Sequence, residues 1–330
     1  MASPPAPRVI LVFVDGLGLA PRDAPGNPLP EAGLDLLACY RDPAWIPPPD
    51  GGRPDSLPAA ERDRPLPHRG RLVVTDPSLG VSGLPQSATG QTAILTGENA
   101  ALVLGRHLYG FPTRTLQKML RARSILKQVT GGGRRAVFLN AFRPLFFELG
   151  DAVWTRPMSA TTWANRAAGL PFRTFEDLGA GAAIYQDITH DSLQDRHPEV
   201  PGRTPEAAGG ILARVSREFD FTLFEFFQTD KAGHARDRIK AVRELRKLER
   251  FLAATLAELD PETNLILTSD HGNVEDLTVK THTHNPVPTL IFGPEAPALD
   301  TGWNRLESLY GRILAVLDLP TGPGLADSQD

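Results

Sequence analysis

Val9-Ile10-Leu11-Val12-Phe13-Val14 is an unbroken apolar run near the start of the chain, and Asp15 follows it directly. An apolar run without polar alternation predicts a strand that is buried on both faces, as in a parallel sheet covered by helices. Five further runs of this kind predict strands at 72–75, 136–139, 221–227, 265–268 and 289–292. Helical patterns separate most of them, so the sequence predicts an α/β fold, a three-layer sandwich around a mostly parallel sheet.

Two of the connecting segments show apolar residues at helical spacing. They predict one helix over 115–129 and a longer one over 237–259. The polar face of the longer helix is basic, and we interpret it as a solvated face in preference to a phosphate-binding stripe. Its residues are Arg238, Arg243, Arg246, Lys247 and Arg250.

Two other stretches depart from the alternation of strand and helix. Residues 142–201 are rich in aromatic residues, Gly, Thr and Pro and show little periodicity, so we interpret them as a small inserted cap over the active site. The catalytic core then consists of residues 1–141 and 202–330. Residues 41–69 are rich in Pro, Gly and charged residues, and a connection of this length predicts a surface loop with a role near the site.

The composition argues against several classes of partner. The net charge of −4 gives no reason to expect binding to nucleic acid or to an anionic membrane surface. The apolar run at 9–14 is too short to span a bilayer. Cys39 is the only cysteine, which excludes an intrachain disulfide and favours a reducing compartment. We therefore expect a cytoplasmic protein without nucleic-acid or membrane partners.

Side chains of the types that ligate metals follow three of the predicted strands. They are Asp15 after the first strand, Asp230 and His234 after the strand at 221–227, Asp270 and His271 after the strand at 265–268, and His282 and His284 shortly beyond. Because ligands collect at the carboxyl ends of the strands in an α/β sheet, we expect these side chains to converge. Three carboxylates and three or four imidazoles suffice for two divalent metal ions, and mixed ligation of this kind favours Zn²⁺ or Mn²⁺ over Ca²⁺.

Ser87 is the candidate nucleophile. It lies in the segment from Gln86 to Gly97, in which Thr92 to Leu95 predict a short helix that ends near Gly97. Ser87 is then at a helix N-terminus, where backbone N–H groups and the helix dipole favour an anion or an alkoxide. An isolated serine at such a position would be interpreted as a simple helix cap. The predicted metal ligands elsewhere in the chain make the nucleophile the better interpretation.

These motifs resemble those of the alkaline phosphatase superfamily, in the metalloenzyme branch that contains cofactor-independent phosphoglycerate mutase and phosphopentomutase. The stretch from Ser87 to Gly97 is similar to the segment that a nucleophilic Ser or Thr opens in those enzymes. Asp270-His271-Gly272-Asn273 and the segment from His282 to Pro288 are similar to two of their later motifs. The resemblance covers residues 9–105 and about 204–317 and leaves the predicted insertion outside.

The resemblance implies a role for individual residues. It implies that one metal ion is held by Asp15, Ser87, Asp270 and His271, and the other by Asp230, His234 and His282. It also implies that Asn273 orients its neighbours, and that Arg106 and His107 are candidates for binding phosphate oxygens, with an exposed polar turn as the alternative. His282 has the family's spacing to Val287-Pro288, and His284, predicted to orient other groups or face solvent, is the alternative ligand.

The implied reaction is phosphoryl transfer from a small phosphate ester through a phosphoserine at Ser87. The mutases are expected to use a large cap to retain the intermediate, and residues 142–201 form a much smaller one, so we favour hydrolysis by a phosphatase or phosphodiesterase. A phosphosugar or phosphoglycerate mutase is the alternative. A non-catalytic metal-stabilised binding protein is a third possibility. A sulfatase is not expected, because the signature Cys or Ser followed by x-Pro-x-Arg is absent at Ser87.

Overall fold

The computed structural model describes residues 7–33, 40–41, 61–62, 68, 70–300 and 302–321. Most of the predicted loop at 41–69 lies outside these residues, so its place relative to the site stays a prediction. Within the described residues, no helix has both the length and the apolar character needed to cross a membrane.

A six-stranded sheet forms the centre of the molecule. Its strands are β1 (Arg8–Val14), β4 (Arg71–Thr75), β5 (Ala136–Phe138), β6 (Phe221–Phe226), β7 (Thr263–Thr268) and β8 (Val287–Phe292), in the order β4-β8-β7-β1-β6-β5. Two short strands, β2 (Tyr40–Arg41) and β3 (Glu61–Arg62), pair with each other separately. The strands β7, β1, β6 and β5 run parallel, whereas β8 is antiparallel to both of its neighbours. The predicted mostly parallel sheet is therefore confirmed.

Helices cover both faces of this sheet. They are α1 (Leu29–Ala32), α2 (Ser87–Thr96), α3 (Ala100–Leu104), α4 (Arg114–Arg123), α5 (Ile125–Gly131), α6 (Pro144–Glu148), α7 (Ala160–Ala167), α8 (Phe175–Gly179), α9 (Pro205–Ser216), α10 (Gln228–Ala235), α11 (Arg238–Ala257), α12 (Ala296–Leu299) and α13 (Ser308–Val316), with 3-10 turns at Gly150–Thr155 and Asp191–Leu193. Ile10, Val12 and Val14 of β1 face a core shared with α9 and α11. Val9, Leu11 and Phe13 face the opposite core, which α2, α4, α5, α7 and α13 complete. The α/β sandwich of three layers is confirmed.

The predicted helix over 115–129 is two helices, α4 and α5, that meet at Ser124. The backbone N–H of Ser124 donates to the carbonyl of Leu120 and ends α4, and its hydroxyl accepts a hydrogen bond from the N–H of Lys127 and caps α5. The apolar spacing continues across this break, so periodicity alone could not reveal it. The single-helix prediction is wrong at this point because a buried serine caps the second helix.

The predicted insertion at 142–201 includes an element that packs within the main core. Helix α7 contributes Ala160, Trp163 and Ala164, at helical spacing, to the same apolar cluster as α2 and α5. The remaining part has a small apolar cluster of its own, which includes Leu178, Tyr185 and Leu193. The bounds of the insertion stay a prediction, and so does its position over the active site.

The basic face of α11 forms ion pairs with neighbouring acidic residues. Arg238 pairs with Glu31 at 2.7 Å and Arg250 with Glu206 at 2.6 Å. Lys247, only 6% exposed, lies 2.9 Å from Glu244 and 3.1 Å from Asp191. Because these cations have acidic partners, the arrangement gives no support to a phosphate-binding stripe. The burial of Lys247 also shows that this face is only partly solvated.

The close packing of α9 on α11 gives a test of the fold. An alanine Cβ at Gly209 would overlap the carbonyl oxygen of Phe251, whereas at Gly210 it would meet the flexible carboxylate of Glu258 at 3.1 Å. Gly209→Ala is expected to reduce the free energy of unfolding by about 1–3 kcal/mol because backbone must move. Gly210→Ala is the matched control, expected to be neutral or to stabilise by up to about 1 kcal/mol. Denaturant unfolding measures both, and equal stabilities would contradict this helix packing.

Candidate active site

The predicted ligands meet at the carboxyl edge of the sheet. Asp15 follows the last residue of β1, α10 starts just beyond β6 and carries Asp230 and His234 on one side, and Asp270 and His271 follow β7. The turn after Asp15 needs glycine at position 16. Gly16 has a φ of +69°, and a Cβ there would lie 2.8 Å from Oδ1 of Asp230. The pairing of Val14 with Phe226 brings the ends of β1 and β6 together, and glycine in the turn after Asp15 lets the backbone approach Asp230 closely.

Ser87 belongs to a first cluster, around His271. Its Oγ lies 2.9 Å from Nε2 of His271. The same nitrogen is 3.2 Å from Oδ1 of Asp15 and 3.5 Å from Oδ2 of Asp270. The structure therefore brings together the four side chains that the family resemblance assigns to one metal ion. Their role as ligands is part of the function proposed below.

A second cluster consists of Asp230, His234 and His282. Oδ1 of Asp230 lies 3.4 Å from Nε2 of His234 and 3.6 Å from Nε2 of His282, and the two histidine nitrogens are 3.2 Å apart. The ring of His282 stacks on that of His271 with centroids 3.6 Å apart. The two clusters are therefore adjacent, as a two-metal site requires.

The histidines are held so that each presents the same ring nitrogen to the site. Nδ1 of His234 donates to the carbonyl of Lys280 and Nδ1 of His282 to that of Pro85, each at 2.8 Å. Because a carbonyl only accepts, the proton is on Nδ1 and the Nε2 lone pair faces the cluster. Two lone pairs 3.2 Å apart repel unless a cation lies between them.

The carboxylate oxygens of the clusters also indicate a site for a cation. Oδ1 of Asp15 and Oδ2 of Asp270 are buried and accept no hydrogen bond among the described residues. Donor atoms of Asp15, Asp270 and His271 lie within 4.8 Å of one another, and so do those of Asp230, His271 and His282. Unsatisfied buried carboxylate oxygens beside imidazole lone pairs suit a divalent cation, and this mixed donor set is typical of Zn²⁺ or Mn²⁺ sites.

The shifted pKa values of the two clusters indicate that a positive charge would stabilise their carboxylates. Burial, with the charge of a neighbouring carboxylate, raises the pKa of Asp15 and raises that of Asp270 well above its usual value. Burial disfavours a charged His271, but the carboxylates of Asp270 and Asp15 outweigh it and raise the pKa of His271 to about 10. Burial, and then the charge of His271, lower the pKa of His282 to about 3. A bound dication would stabilise these carboxylates and displace protons from the site.

Ser87 is the first residue of α2 and is not its cap. Gln86, in extended conformation, precedes the helix, and the first intrahelical bond runs from the N–H of Gly90 to the carbonyl of Gln86. The N–H groups of the first turn consequently have no acceptor within the helix and are available to an anion. A Cβ at Gly90 would lie 2.8 Å from Cβ of Asp270. Glycine at this position lets α2 pack directly against the segment of Asp270.

Asn273, to which the family resemblance assigns an orienting role, contacts Asp230. Its Nδ2 donates to Oδ1 of Asp230 at 2.6 Å and contacts the carbonyl of the same residue at 3.3 Å. Oδ1 is the same carboxylate oxygen that lies nearest Nε2 of His234 and Nε2 of His282. Asn273 thus fixes the rotamer of one carboxylate in the second cluster.

Glu275 is a functional candidate that the sequence analysis missed. Its carboxylate is buried and accepts hydrogen bonds from four groups, namely the N–H of Gly18, the N–H of Asn273, the hydroxyl of Thr283 and the side-chain amide of Asn285. These groups belong to the turn after Asp15, to the motif after β7 and to the segment of His282. In the sequence alone, a glutamate at this position would be interpreted as exposed. The one signal for it is its position just after the motif Asp270 to Asn273.

Glu225 and Thr161 were also missed. Glu225 is buried near the end of β6, and its Oε2 accepts a hydrogen bond from the hydroxyl of Thr161 on α7 at 2.6 Å. Burial, with a smaller contribution from the charge of Asp15, raises the pKa of Glu225 to about 7. The one sequence signal is an acidic residue inside an otherwise apolar and threonine-containing strand. The pair connects α7 to the edge of the sheet where Asp15 lies.

Arg106 and His107, the two predicted phosphate-binding residues, form no hydrogen bond or ion pair with the described residues of either cluster. The side chain of Arg106 is exposed, and its backbone N–H donates to the carbonyl of Ala101 at the end of α3. Nε2 of His107 lies 3.1 Å from the carbonyl of Val81, and burial lowers the pKa of His107. His284 is half-buried, and its charge contributes to the lowered pKa of His107. The roles of Arg106, His107 and His284 stay predictions.

Removal of the Glu275 carboxylate is expected to weaken metal binding. Glu275→Ala would release the loops of both clusters at once, and changes to groups that orient ligands typically reduce metal affinity about 10- to 100-fold. Competition with a chelator of known affinity measures this loss, and Glu262→Ala, at an exposed glutamate, is the control. A variant of Glu275 that folds and keeps wild-type metal affinity would contradict the positioning role.

Comparison with known proteins adds independent findings. Residues 206–312 match the family model described as Metalloenzyme superfamily. The chain is 36% identical over 161 residues to the phosphopentomutase of Symbiobacterium thermophilum, a match that covers 48% of this chain and 38% of that protein. It is 27% identical over 136 residues to the 2,3-bisphosphoglycerate-independent phosphoglycerate mutase of Desulforudis audaxviator, covering 39% of this chain and 26% of that protein. The chain thus spans well under half the length of these curated relatives.

A likeness in fold extends over nearly the whole chain. The structure of the alkaline phosphatase from the Antarctic bacterium TAB5 matches with a TM-score of 0.51 and 14% sequence identity, covering 96% of this chain and 99% of that one. At this identity the match concerns the fold alone.

Proposed function

We propose that this chain, which has an alkaline phosphatase-like fold and matches the Metalloenzyme superfamily model over residues 206–312, transfers the phosphoryl group of a small phosphate ester to Ser87 and then to water. The observation that carries the proposal is the position of Ser87. Its hydroxyl lies at a helix N-terminus and 2.9 Å from the imidazole that joins the two clusters. A nucleophile, anion-binding N–H groups and a cation site thereby adjoin one another.

The family match implies bound divalent metal ions, and their number and identity belong to the proposal. Asp15, Ser87, Asp270 and His271 would hold one ion, and Asp230, His234 and His282 the other. Bound there, such ions supply charge neutralisation for the attacking and leaving oxygens and a lowered pKa for a coordinated hydroxyl.

The residues of the chain contribute the positioning. The Ser87 oxygen forms the new bond to phosphorus while the ester oxygen departs on the opposite side of the phosphorus atom. The free N–H groups of the first turn of α2 stabilise the phosphoryl oxygens. Asn273 and the carbonyl of Pro85 hold Asp230 and His282 in place beside the departing oxygen.

The fate of the phosphoryl group separates two functions. The small size of residues 142–201 supports transfer to water, since an open site admits solvent. The matched relatives are named as mutases, so return of the phosphoryl group to the substrate is an alternative with at least as much support. The single cysteine, Cys39, favours a cytoplasmic location, which is likewise part of the proposal.

A substrate panel distinguishes these functions. The protein, supplied with Zn²⁺ or Mn²⁺, is incubated with phosphomonoesters, phosphodiesters and phosphosugars, and both free phosphate and isomerised product are measured. Free phosphate without isomerisation is expected and supports the hydrolase, whereas isomerised product without free phosphate supports the mutase. Metal binding without any product from the panel would instead indicate a metal-stabilised binding protein.

A further inference from the structure

Tyr109 lies beside the second cluster. It belongs to the connection between α3 and α4, and its ring centroid is 6.3 Å from that of His282, with the ring planes inclined by 36°. Its side chain is 70% exposed. Its ring therefore adjoins a predicted metal ligand, His282.

The backbone on the N-terminal side of Tyr109 is held in place. The N–H of Leu108 donates to the hydroxyl of Thr89 on α2, and the ring of His107 bonds to the carbonyl of Val81. The side chain of Leu108 packs against a small buried cluster formed by Ala88, Ala100, Leu116 and Met119. The exposed ring is therefore carried by an anchored segment that also contacts the helix of Ser87.

The position of Tyr109 relative to the reaction follows from the geometry of phosphoryl transfer. In an in-line displacement, the attacking and leaving oxygens lie on opposite sides of phosphorus. Ser87 contacts the first cluster through His271, so the leaving oxygen points toward Asp230, His234 and His282. Tyr109 contacts that second cluster and thus adjoins the leaving group and not the transferred phosphoryl group.

We propose that Tyr109 is a stacking platform for the leaving group, so that the substrate is a phosphate ester whose alcohol carries a flat aromatic ring. This inference rests on the proposed function and names its substrate class. The exposed ring beside His282 offers its face to another ring, and a pair of stacked aromatic rings gains more binding free energy than the apolar area that it buries accounts for. A phosphorylated hydroxy acid contains no ring, and a sugar ring presents only C–H groups to such a face and no second π-system.

Binding of two phosphonates tests this proposal without turnover. Phenylphosphonate and cyclohexylphosphonate have the same anionic group and similar size, but only the first has a flat ring. Calorimetry with the metal-supplied wild-type protein is expected to show about 3- to 10-fold tighter binding of phenylphosphonate. Tyr109→Ala is expected to reduce this preference to about one, and Tyr109→Phe to retain it. Ile239→Ala, which removes an exposed side chain from α11 on the other face of the sheet, is the control.

The outcomes separate this inference from the proposed function. An equal affinity for the two phosphonates, no measurable binding of phenylphosphonate, or a preference that Tyr109→Ala leaves unchanged would each overturn the platform. Because Tyr109 is exposed, the variants are expected to fold, and unchanged circular dichroism and metal content verify this. The proposed function fails by a different result, namely the absence of phosphate release from every ester in the panel.

Discussion

Alanine at position 87 is expected to lower kcat by more than about 100-fold while both metal ions stay largely bound. The variant has no side-chain oxygen to form the bond to phosphorus, and a 100-fold loss corresponds to about 2.7 kcal/mol in the activation free energy. Asp15, Asp270 and His271 remain in the first cluster, so the cation site loses only one donor. Activity should therefore fall far more than metal content.

Steady-state kinetics on the best ester of the panel, together with metal analysis of the purified protein, measure the two quantities. Ser82→Ala is the matched control, because Ser82 is an exposed serine shortly before α2. A Ser87→Ala protein that keeps more than about one hundredth of the wild-type kcat would exclude Ser87 as the nucleophile.

His282→Ala is expected to lose one metal ion at micromolar supply, whereas His284→Ala keeps both and retains activity. The contacts of the His282 ring are the reason for this expectation. Its Nε2 lies 3.2 Å from that of His234, and its Nδ1 is held by the carbonyl of Pro85. Removal of a ligand eliminates one bond to the metal ion and therefore lowers the metal affinity severely. Loss of an orienting group typically costs only about 10- to 100-fold in affinity.

Metal analysis after equilibration at micromolar Zn²⁺ or Mn²⁺ decides between the two histidines. His197→Ala is a suitable control, since His197 pairs with Glu199 in the segment between α8 and α9. Loss of a metal ion from His284→Ala, with His282→Ala unaffected, would transfer the ligand role to His284. A wild-type stoichiometry near one would instead overturn the two-metal interpretation.

The strands and the convergence of the predicted ligands were accessible from the sequence. Short runs rich in Val, Ile and Leu, such as Val9 to Val14, indicate buried strands, and the carboxyl ends of neighbouring parallel strands meet at one edge. Such runs are followed, at once or within a few residues, by Asp15, Asp230 and Asp270. The apolar runs and the convergence of parallel strand ends therefore suffice to predict that these side chains lie close together. Asp230 and His234 share a side because four residues make one helical turn.

The orientation of those side chains was decided by contacts between distant parts of the chain. His282 is held by the carbonyl of Pro85, 197 positions away in sequence, and Glu275 bonds to the N–H of Gly18, 257 positions away. Tyr109 reaches His282 from a connection without periodicity. Hydrophobic spacing carries information about which face of an element is buried. It carries none about which loop carbonyl or ring lies opposite a given side chain, because that depends on how the packed layers bring the loops together.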